Sequence, residues 1–232
     1  MPASPELQQT LSKTASFSGT ALHTGEKVTL NLHPAPADHG IKFKRKDLDD
    51  EPTIDAKIEN LKMVERATTI GEGAVRVHTV EHVLAALWAM GVDNAVVEMD
   101  ANEPPIGDGS ARAYVDLVRK AGVTAQEEPR KFFDVRDTMH VESKTGTLLV
   151  LLPDDTFRIS CTQAGPNNRF AQFLSTEITP AIFEREIASA RTFVYYEDVQ
   201  PLMEKNLIKG GSLENAIVLR GDGASARLLA GD

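Results

Sequence analysis

The sequence predicts an α+β fold of two related domains, each a β-sheet covered on one face by helices, with the second domain incomplete. In each half of the chain, alternating strand-like segments come first and a helical segment follows. A short echo links the halves, because Asp-Asn-Ala-Val-Val at 93–97 resembles Glu-Asn-Ala-Ile-Val at 214–218. The polar stretch 124–131 lies between them and indicates a domain boundary. We therefore predict a first domain over 1–126 and a second over 127–232.

Composition excludes several classes of protein. The 232 residues are 41% hydrophobic and 25% charged, as in ordinary soluble globular proteins. A formal net charge of -9 argues against nucleic acid or an anionic membrane as the main partner. No run approaches the roughly 18 apolar residues of a transmembrane segment, and no secretory signal is visible at the start. The single cysteine, Cys161, excludes an intramolecular disulfide, and a cytoplasmic location is expected.

The first third of the chain is predicted to be rich in strands. Val-Thr-Leu-Asn-Leu at 28–32 and Ile-Lys-Phe at 41–43 alternate between apolar and polar residues. The segment 34–40 between them is full of turn formers, which favours a hairpin-like pair. Further strands are expected at 74–78 and 95–99.

Two helices complete the predicted first domain. In the first, Thr79 is a candidate N-cap, the run 83–90 contains no polar residue, and Gly91 supplies a stop. A helix that is apolar on every side is expected to be buried. In the second, Ser110 is a candidate N-cap and Gly122 the end, and the residues at helical spacing on one face are Tyr114, Leu117, Val118 and Ala121.

The second half repeats this order of elements. Strands are predicted at 132–135, 148–152 and 157–161, and a helical segment at 180–189. Cys161 falls in the alternating run at 157–161, where a buried structural thiol is expected.

The most informative pair of residues is Glu81-His82, at the first turn of the first predicted helix. A carboxylate there is favoured by the helix dipole, and a histidine can be a core residue with one hydrogen-bond partner. Alternatively, a neutral imidazole is a common zinc ligand, and a neighbouring carboxylate can take a proton from metal-bound water. The pair by itself leaves both interpretations open.

Longer segments resemble the bacterial zinc deacetylases of lipid A synthesis, the UDP-3-O-acyl-N-acetylglucosamine deacetylases. The resemblance extends over almost the whole chain. The motifs that carry it are Gly-Thr-Ala-Leu-His-Thr-Gly at 19–25, Thr-Val-Glu-His-Val-Leu-Ala-Ala-Leu at 79–87, Asp-Asn-Ala-Val-Val-Glu at 93–98, Pro-Ile-Gly-Asp-Gly-Ser-Ala at 105–111, Ala-Arg-Thr-Phe at 190–193 and Gly-Gly-Ser-Leu-Glu-Asn-Ala-Ile-Val at 210–218.

The resemblance implies zinc-dependent hydrolysis of the N-acetyl group of a UDP-linked, O-acylated glucosamine. It makes His82 one zinc ligand and Glu81 the general base. It makes Thr192 a donor toward the developing oxyanion, although Thr192 could instead bond its own backbone at a helix end. It places Phe193 against the sugar and His23 near the substrate, without a firm role for His23.

The resemblance also implies an acyl channel made by an insertion at 194–219 in the second domain. Ordinary core packing of a small helix and strand is the alternative. The candidate lining residues are Leu202, Met203, Leu207, Ile208, Leu213 and Ile217.

The remaining ligands of the family pattern are absent from the sequence. The family places a histidine and an aspartate, four residues apart, after the motif at 210–218, and a further histidine later as the acid. No histidine follows His140, and Asp222 and Asp232 are the only carboxylates after Val218. One imidazole is a weak zinc site, since catalytic sites normally have three protein ligands.

We therefore expect a chain truncated at its C-terminus and inactive alone. The alternatives are a non-catalytic remnant that binds sugar nucleotide or acyl chain, a fragment that pairs with a partner chain, and a shortened fusion with a dehydratase domain. Members of the family are typically monomers. Here, however, truncation is expected to leave the second domain partly ordered, with apolar faces at 183–187 and 194–219 exposed and free to associate.

Overall fold

A computed structural model describes residues 6–165, 171–204 and 208–219, and it confirms the mixed α+β class. The strands of the first half are β1 (Leu7–Leu11), β2 (Ala15–Thr20), β3 (Lys27–Pro34), β4 (Ile41–Arg45), β5 (Thr53–Asp55), β6 (Leu61–Met63), β7 (Thr69–Glu72), β8 (Val75–Val77), β9 (Ala95–Met99) and β10 (Val123–Pro129). The helices of this half are α1 (Glu81–Ala89) and α2 (Arg112–Ala121), together with a short 3-10 turn at Ile58–Asn60.

The second half contains shorter and more dispersed elements. Its strands are β11 (Met139–Glu142), β12 (Leu148–Leu151), β13 (Arg158–Ala164), β14 (Ala171–Glu177), β15 (Phe193–Tyr195) and β16 (Ile217–Leu219). Its helices are α3 (Pro180–Ile182), which continues as a π turn at Phe183–Ile187, and α4 (Tyr196–Glu204).

A five-stranded sheet in the order β2-β3-β9-β4-β5 forms the centre of the first half. β9 pairs antiparallel with β3 and parallel with β4. The predicted strands at 28–32 and 41–43 are therefore correct, but the prediction that they pair as a hairpin is wrong, because β9 lies between them. Alternation of apolar and polar residues indicates which face of a strand is buried, but it does not determine which strand pairs with it.

Helices α1 and α2 pack together with this sheet into one buried cluster. The predicted face of α2 is confirmed, because all four of its predicted residues are buried. Gly122 ends the helix with a φ of 71°. The helix begins one residue later than a Ser110 N-cap requires, yet the Ser110 hydroxyl accepts a hydrogen bond from the Arg112 amide at 3.1 Å.

Two expectations for α1 are wrong. Thr79 is not its N-cap, because Val80 occupies that position and Thr79 has a φ of 54°. The helix is not buried on every side either, since Trp88 is 56% exposed. The Trp88 ring instead contacts Phe157, with the ring centroids 4.6 Å apart.

Strand β10 crosses the position of the predicted domain boundary at residue 126. It pairs antiparallel with β1, so the two strands bring residues 7–11 and 123–129 together. Asn94, only 1% exposed, donates to Gln8 and Gln126 and accepts from the Gly40 amide. The domain boundary at residue 126 stays a prediction.

Two hairpins, β11-β12 and β13-β14, follow as separate two-stranded sheets. Every residue of β11, β12 and β13 is exposed. Cys161 is exposed too, so the expected buried thiol is wrong, because no second layer covers β13 among the described residues. The strand predicted at 132–135 is also wrong, as that stretch is irregular.

The segment after β14 packs onto the first half of the chain. Phe183 and Ala188 belong to the same buried cluster as α1 and α2. Glu184 forms an ion pair with Arg119 at 2.7 Å. The expectation that 183–187 exposes an apolar face is therefore wrong.

The predicted insertion contains a parallel pair, β15 and β16, with α4 between them in sequence. No helix in the part of the chain that the structure describes has the length and apolar character needed to cross a membrane.

Candidate active site

A buried carboxylate, Glu103, connects two loops at the edge of the first half. Its side chain is 0% exposed. Glu103 accepts hydrogen bonds from the His23 ring at 2.7 Å, the His23 amide at 2.9 Å and the Thr79 hydroxyl at 2.7 Å. These donors outweigh the effect of burial, and the pKa of Glu103 is lowered. Glu103 is therefore an anion in the folded protein at neutral pH.

His23 is the titratable partner of Glu103. The hydrogen bond to Glu103 is the largest cause of its raised pKa, and it outweighs the opposing effect of burial. Glu81 acts electrostatically on the pKa of His23 in the same direction. The two residues, predicted from separate motifs, are also linked through Thr79, which lies two residues before Glu81 and donates to the same Glu103 carboxylate.

Thr79 has a backbone conformation that is unusual for a β-branched residue. A positive φ of this kind costs on the order of 1–3 kcal/mol and persists only where surrounding contacts enforce it. Here the Thr79 hydroxyl is held by Glu103, and α1 begins two residues later. The left-handed residue redirects the chain into the helix, so that Glu81 and His82 form its first turn.

Glu81 and His82 have different environments on that turn. Glu81 accepts a hydrogen bond from the Thr68 amide at 3.0 Å. Burial is the largest influence on His82 and lowers its pKa, while Glu81 and Asp108 act weakly in the opposite direction. His82 is therefore favoured as neutral imidazole, the form that binds metal ions.

Thr192 is anchored to the loop that carries Asp108. Its amide donates to the Gly109 carbonyl at 2.8 Å, and its carbonyl accepts from the Ile217 amide at 3.0 Å. Arg191 donates to the Asp108 carbonyl at 2.6 Å. The segment 190–193, predicted as a site motif, is thus held against the motif at 105–111.

A groove of about 800 Å³ runs between the two halves of the chain. His23, Thr192, Phe193 and Leu202 line it, as do the predicted channel residues Ile208 and Leu213. Glu81 and His82 are not among its lining residues. The other residues around it include Leu22, Met63, Arg66, Thr69, His78, Asn102, Glu103, Val194, Val199, Ala216 and Val218.

Three predicted channel residues need separate mention. Ile217 is not a lining residue, whereas its neighbours Ala216 and Val218 are, because successive side chains of β16 point to opposite faces. Leu207 and the side chain of Met203 lie outside the described part of the structure.

Sequence reasoning missed three residues of this region. Glu103 lies in an Asn-Glu-Pro-Pro stretch with no helical or strand pattern, and its partner His23 is 80 residues away. His78, to which the sequence assigns no role, lines the groove, and its ring forms a hydrogen bond with the Thr69 hydroxyl at 2.9 Å. Asp108 lies within the motif at 105–111, which assigns it no role. The only local signal for Glu103 is an acidic residue in an otherwise uncharged stretch.

The described residues do not fit a complete zinc site. In residues 6–165, 171–204 and 208–219, no group of three or more His, Cys, Asp and Glu side chains is placed to hold a metal ion. His82 can supply one nitrogen ligand. Glu81 and Asp108 are the carboxylates that act electrostatically on the His82 ring. A catalytic zinc normally has three protein ligands.

Comparison with known proteins gives a consistent result. A sequence model described as UDP-3-O-acyl N-acetylglycosamine deacetylase matches residues 8–228. The bifunctional enzyme LpxC/FabZ of Porphyromonas gingivalis is 44% identical over 91% of this chain and 46% of its own length. The bifunctional enzyme of the same name from Bacteroides thetaiotaomicron is 37% identical, also over 46% of its length. The chain thus spans about half the length of these two relatives.

This chain covers a larger share of a relative that is named for the deacetylase alone. The UDP-3-O-acyl-N-acetylglucosamine deacetylase of Myxococcus xanthus is 45% identical over 91% of this chain and 68% of its own length. The family model and this relative cover the motifs that meet at the groove. The chain belongs to the UDP-3-O-acyl N-acetylglycosamine deacetylase family.

Proposed function

We propose that this chain carries part of a deacetylase site for UDP-3-O-acyl-N-acetylglucosamine, in the synthesis of lipid A. Family membership supports this reaction class. The observation that carries the proposal is the meeting of Thr192, Phe193 and His23 in one groove. These residues come from motifs far apart in sequence.

Each residue has a proposed role in that reaction. Glu81 is the general base for the attacking water, and its carboxylate is fixed by the Thr68 amide. Thr192 donates toward the oxygen on which charge develops. Phe193 lies against the sugar, and the groove beyond it, lined by Leu202, Ile208 and Leu213, accepts the acyl chain. His82 is proposed as one zinc ligand.

Two further proposals concern the binding of zinc and the activity of this chain alone. Because the described residues supply too few ligands, we propose that the chain binds zinc weakly and does not release acetate by itself. Action in the cytoplasm, as expected from the sequence, is also proposed.

Binding of the substrate class tests the function. UDP-3-O-acyl-N-acetylglucosamine is titrated into the purified chain by calorimetry and compared with UDP-N-acetylglucosamine, which lacks the acyl chain. We expect the acylated compound to bind more tightly. Phe193→Ala is expected to weaken its binding about tenfold, since burial of such a side chain contributes roughly 1.5–3 kcal/mol.

Leu149→Ala is the matched control, because Leu149 is exposed on β12 and far in sequence from every groove residue. Equal affinity for the two compounds, or no binding of either, contradicts the proposed function. Acetate release by the wild-type chain with zinc contradicts the separate proposal that it is inactive alone.

A second candidate function is binding without catalysis. The observation that favours it is the combination of a formed groove with a metal-ligand set that does not reach three among the described residues. Under this alternative, Glu81→Gln leaves the affinity for the acylated compound unchanged, and no added zinc produces acetate. Acetate release that is lost in Glu81→Gln excludes it.

A further inference from the structure

The contacts of Glu103 extend further than an ordinary ion pair. One buried carboxylate accepts from the ring and the backbone of His23 and from the hydroxyl of Thr79. The Thr24 amide approaches the same carboxylate at 3.4 Å. Glu103 therefore connects the loop at 21–25 to the residues that lead into α1.

The hydrogen bond to Glu103 fixes the orientation of the His23 ring. Nδ1 is used by Glu103, and the ring is 34% exposed along the groove wall. In the described residues, no side chain or carbonyl is found as a partner of Nε2. The ring thus has one edge in the protein and the other toward the groove.

The same carboxylate has a second consequence, at the start of α1. Thr79 has a left-handed backbone that a β-branched residue does not adopt without support. Its hydroxyl bond to Glu103 supplies that support two residues before Glu81. A shift of Glu103 would move both His23 and the turn that carries Glu81.

We propose that Glu103 is a positioning residue, whose buried carboxylate aims His23 Nε2 into the groove and holds Thr79 in the conformation from which α1 begins. The proposed function enters only in assigning the groove to substrate. The orientation of His23 is independent of it. The charged groups that face His23 are Glu103, Glu81 and His78, and Lys209 follows on the segment packed over the loop.

Nitrogen-15 NMR of the histidine rings tests the proposal without any activity measurement. In the wild-type chain above the His23 transition, the proton is expected on Nδ1, because Glu103 accepts it there. Below the transition both nitrogens carry protons. A neutral His23 with its proton on Nε2 overturns the proposal, and this measurement needs no variant.

The Glu103→Gln variant then isolates the carboxylate. Gln keeps the size of the side chain and removes the charge, so the pKa of His23 is expected to fall. Glu98→Gln is the matched control, because Glu98 also lies 3.5 Å from a histidine, His33, and is not among the residues that face His23. An unchanged His23 titration in a folded Glu103→Gln protein overturns the proposal.

Amide hydrogen exchange at the start of α1 provides a third test of the proposal. Loss of the Thr79 contact is expected to speed amide exchange at Leu84, whose amide bonds the Val80 carbonyl, at least tenfold in Glu103→Gln. Glu98→Gln is expected to leave this exchange rate unchanged. Equal rates in the wild-type and Glu103→Gln proteins overturn the role at Thr79, whatever the chain does with substrate.

Discussion

At the scale of single residues, Glu103 is joined to the candidate site by contacts that no local sequence pattern reveals. Glu81 and His82 stand out in the sequence, because an acid and an imidazole at a helix start are distinctive, and their roles stay predictions. Glu103 does not stand out, since its meaning comes from His23, which lies 80 residues away, and from a backbone angle at Thr79. The residue types in a sequence indicate the chemistry that a site can perform, whereas the contact partners of each residue are known only from the fold.

The Glu103 and His23 pair predicts a specific dependence of stability on pH. The pKa of His23 is raised above 6.5 in the folded protein. The stability that protonated His23 contributes is therefore fully present below pH 6.5 and is lost as pH rises through the folded-state pKa. The pKa of Glu103 is lowered below 4.5, so its contribution is complete above that value and is lost as pH falls through the folded-state pKa. Both contributions overlap between pH 4.5 and 6.5.

We therefore expect the loss of stability in Glu103→Gln to be largest in that window and to shrink on either side of it. The free energies of unfolding of wild type and Glu103→Gln are measured by urea unfolding, followed by circular dichroism, at about ten pH values between 3.5 and 8.5. A constant difference across the range would show that the pair does not titrate as described.

At the scale of elements, alternation and helical spacing located both α-helices of the first half and four of its ten described strands, namely β3, β4, β8 and β9. Pairing was predicted less well, because β4 joins β9 rather than β3. In the second half, apolar runs such as Leu148–Leu151 formed strands as expected, yet these strands are exposed. A sequence pattern indicates the element, while its burial depends on whether another layer is present.

The contact between Trp88 of α1 and Phe157 is open to a direct measurement. Trp88 is the only tryptophan of the chain, so its fluorescence reports on this contact alone. Phe157→Ala should expose the ring further and shift its emission to the red, with a cost of about 0.5–1.5 kcal/mol in stability. Phe173→Ala, on exposed β14, should change neither quantity. An unchanged emission in Phe157→Ala would refute the contact.

The junction between the two halves depends on a glycine. Gly109 has a φ of 84°, and a Cβ there would lie 2.0 Å from the Asn215 carbonyl oxygen. Gly109→Ala should therefore separate the segment at 215 from its support and accelerate exchange of the Thr192 amide, which bonds Gly109.

Gly146→Ala is a close control for that change. Gly146 has nearly the same φ, 83°, but an added Cβ meets nothing within 4 Å. Both variants carry backbone strain of about 1–3 kcal/mol, and only Gly109→Ala adds a collision. Equal stability losses would show that close packing at Gly109 is unimportant.

At the scale of the whole molecule, apolar surface is distributed unevenly. The first half buries its core, whereas the two hairpins expose large apolar side chains, among them Val141, Leu149, Leu151 and Ile159. The exposed apolar surface of the second half thus lies at the hairpins, where the sequence did not predict it, while the predicted face at 183–187 is packed against the first half. Surfaces of this kind favour association between chains.

We expect the purified chain to associate as its concentration rises. The double variant Leu149→Lys and Leu151→Lys should reduce this association, measured by light scattering, without lowering unfolding stability, because both side chains are exposed. Ser160→Lys with Ser175→Lys adds the same charge to the neighbouring hairpin and should reduce association less. An equal reduction by both variants would assign the effect to charge instead of apolar surface.

The pairing of β1 with β10 has a consequence for the order of events when the chain is made. Leu11 lies opposite Val123, and Leu7 lies opposite Pro129. The complete ladder cannot form before residue 129 has left the ribosome, and Leu11 waits for the 112 residues that follow it up to Val123 before it finds its first partner. Pairings so distant in sequence close large loops and slow folding. A nascent chain halted at α2 would thus expose β1 without its partner, including Leu11, which is buried in the folded protein, in a form accessible to a chaperone.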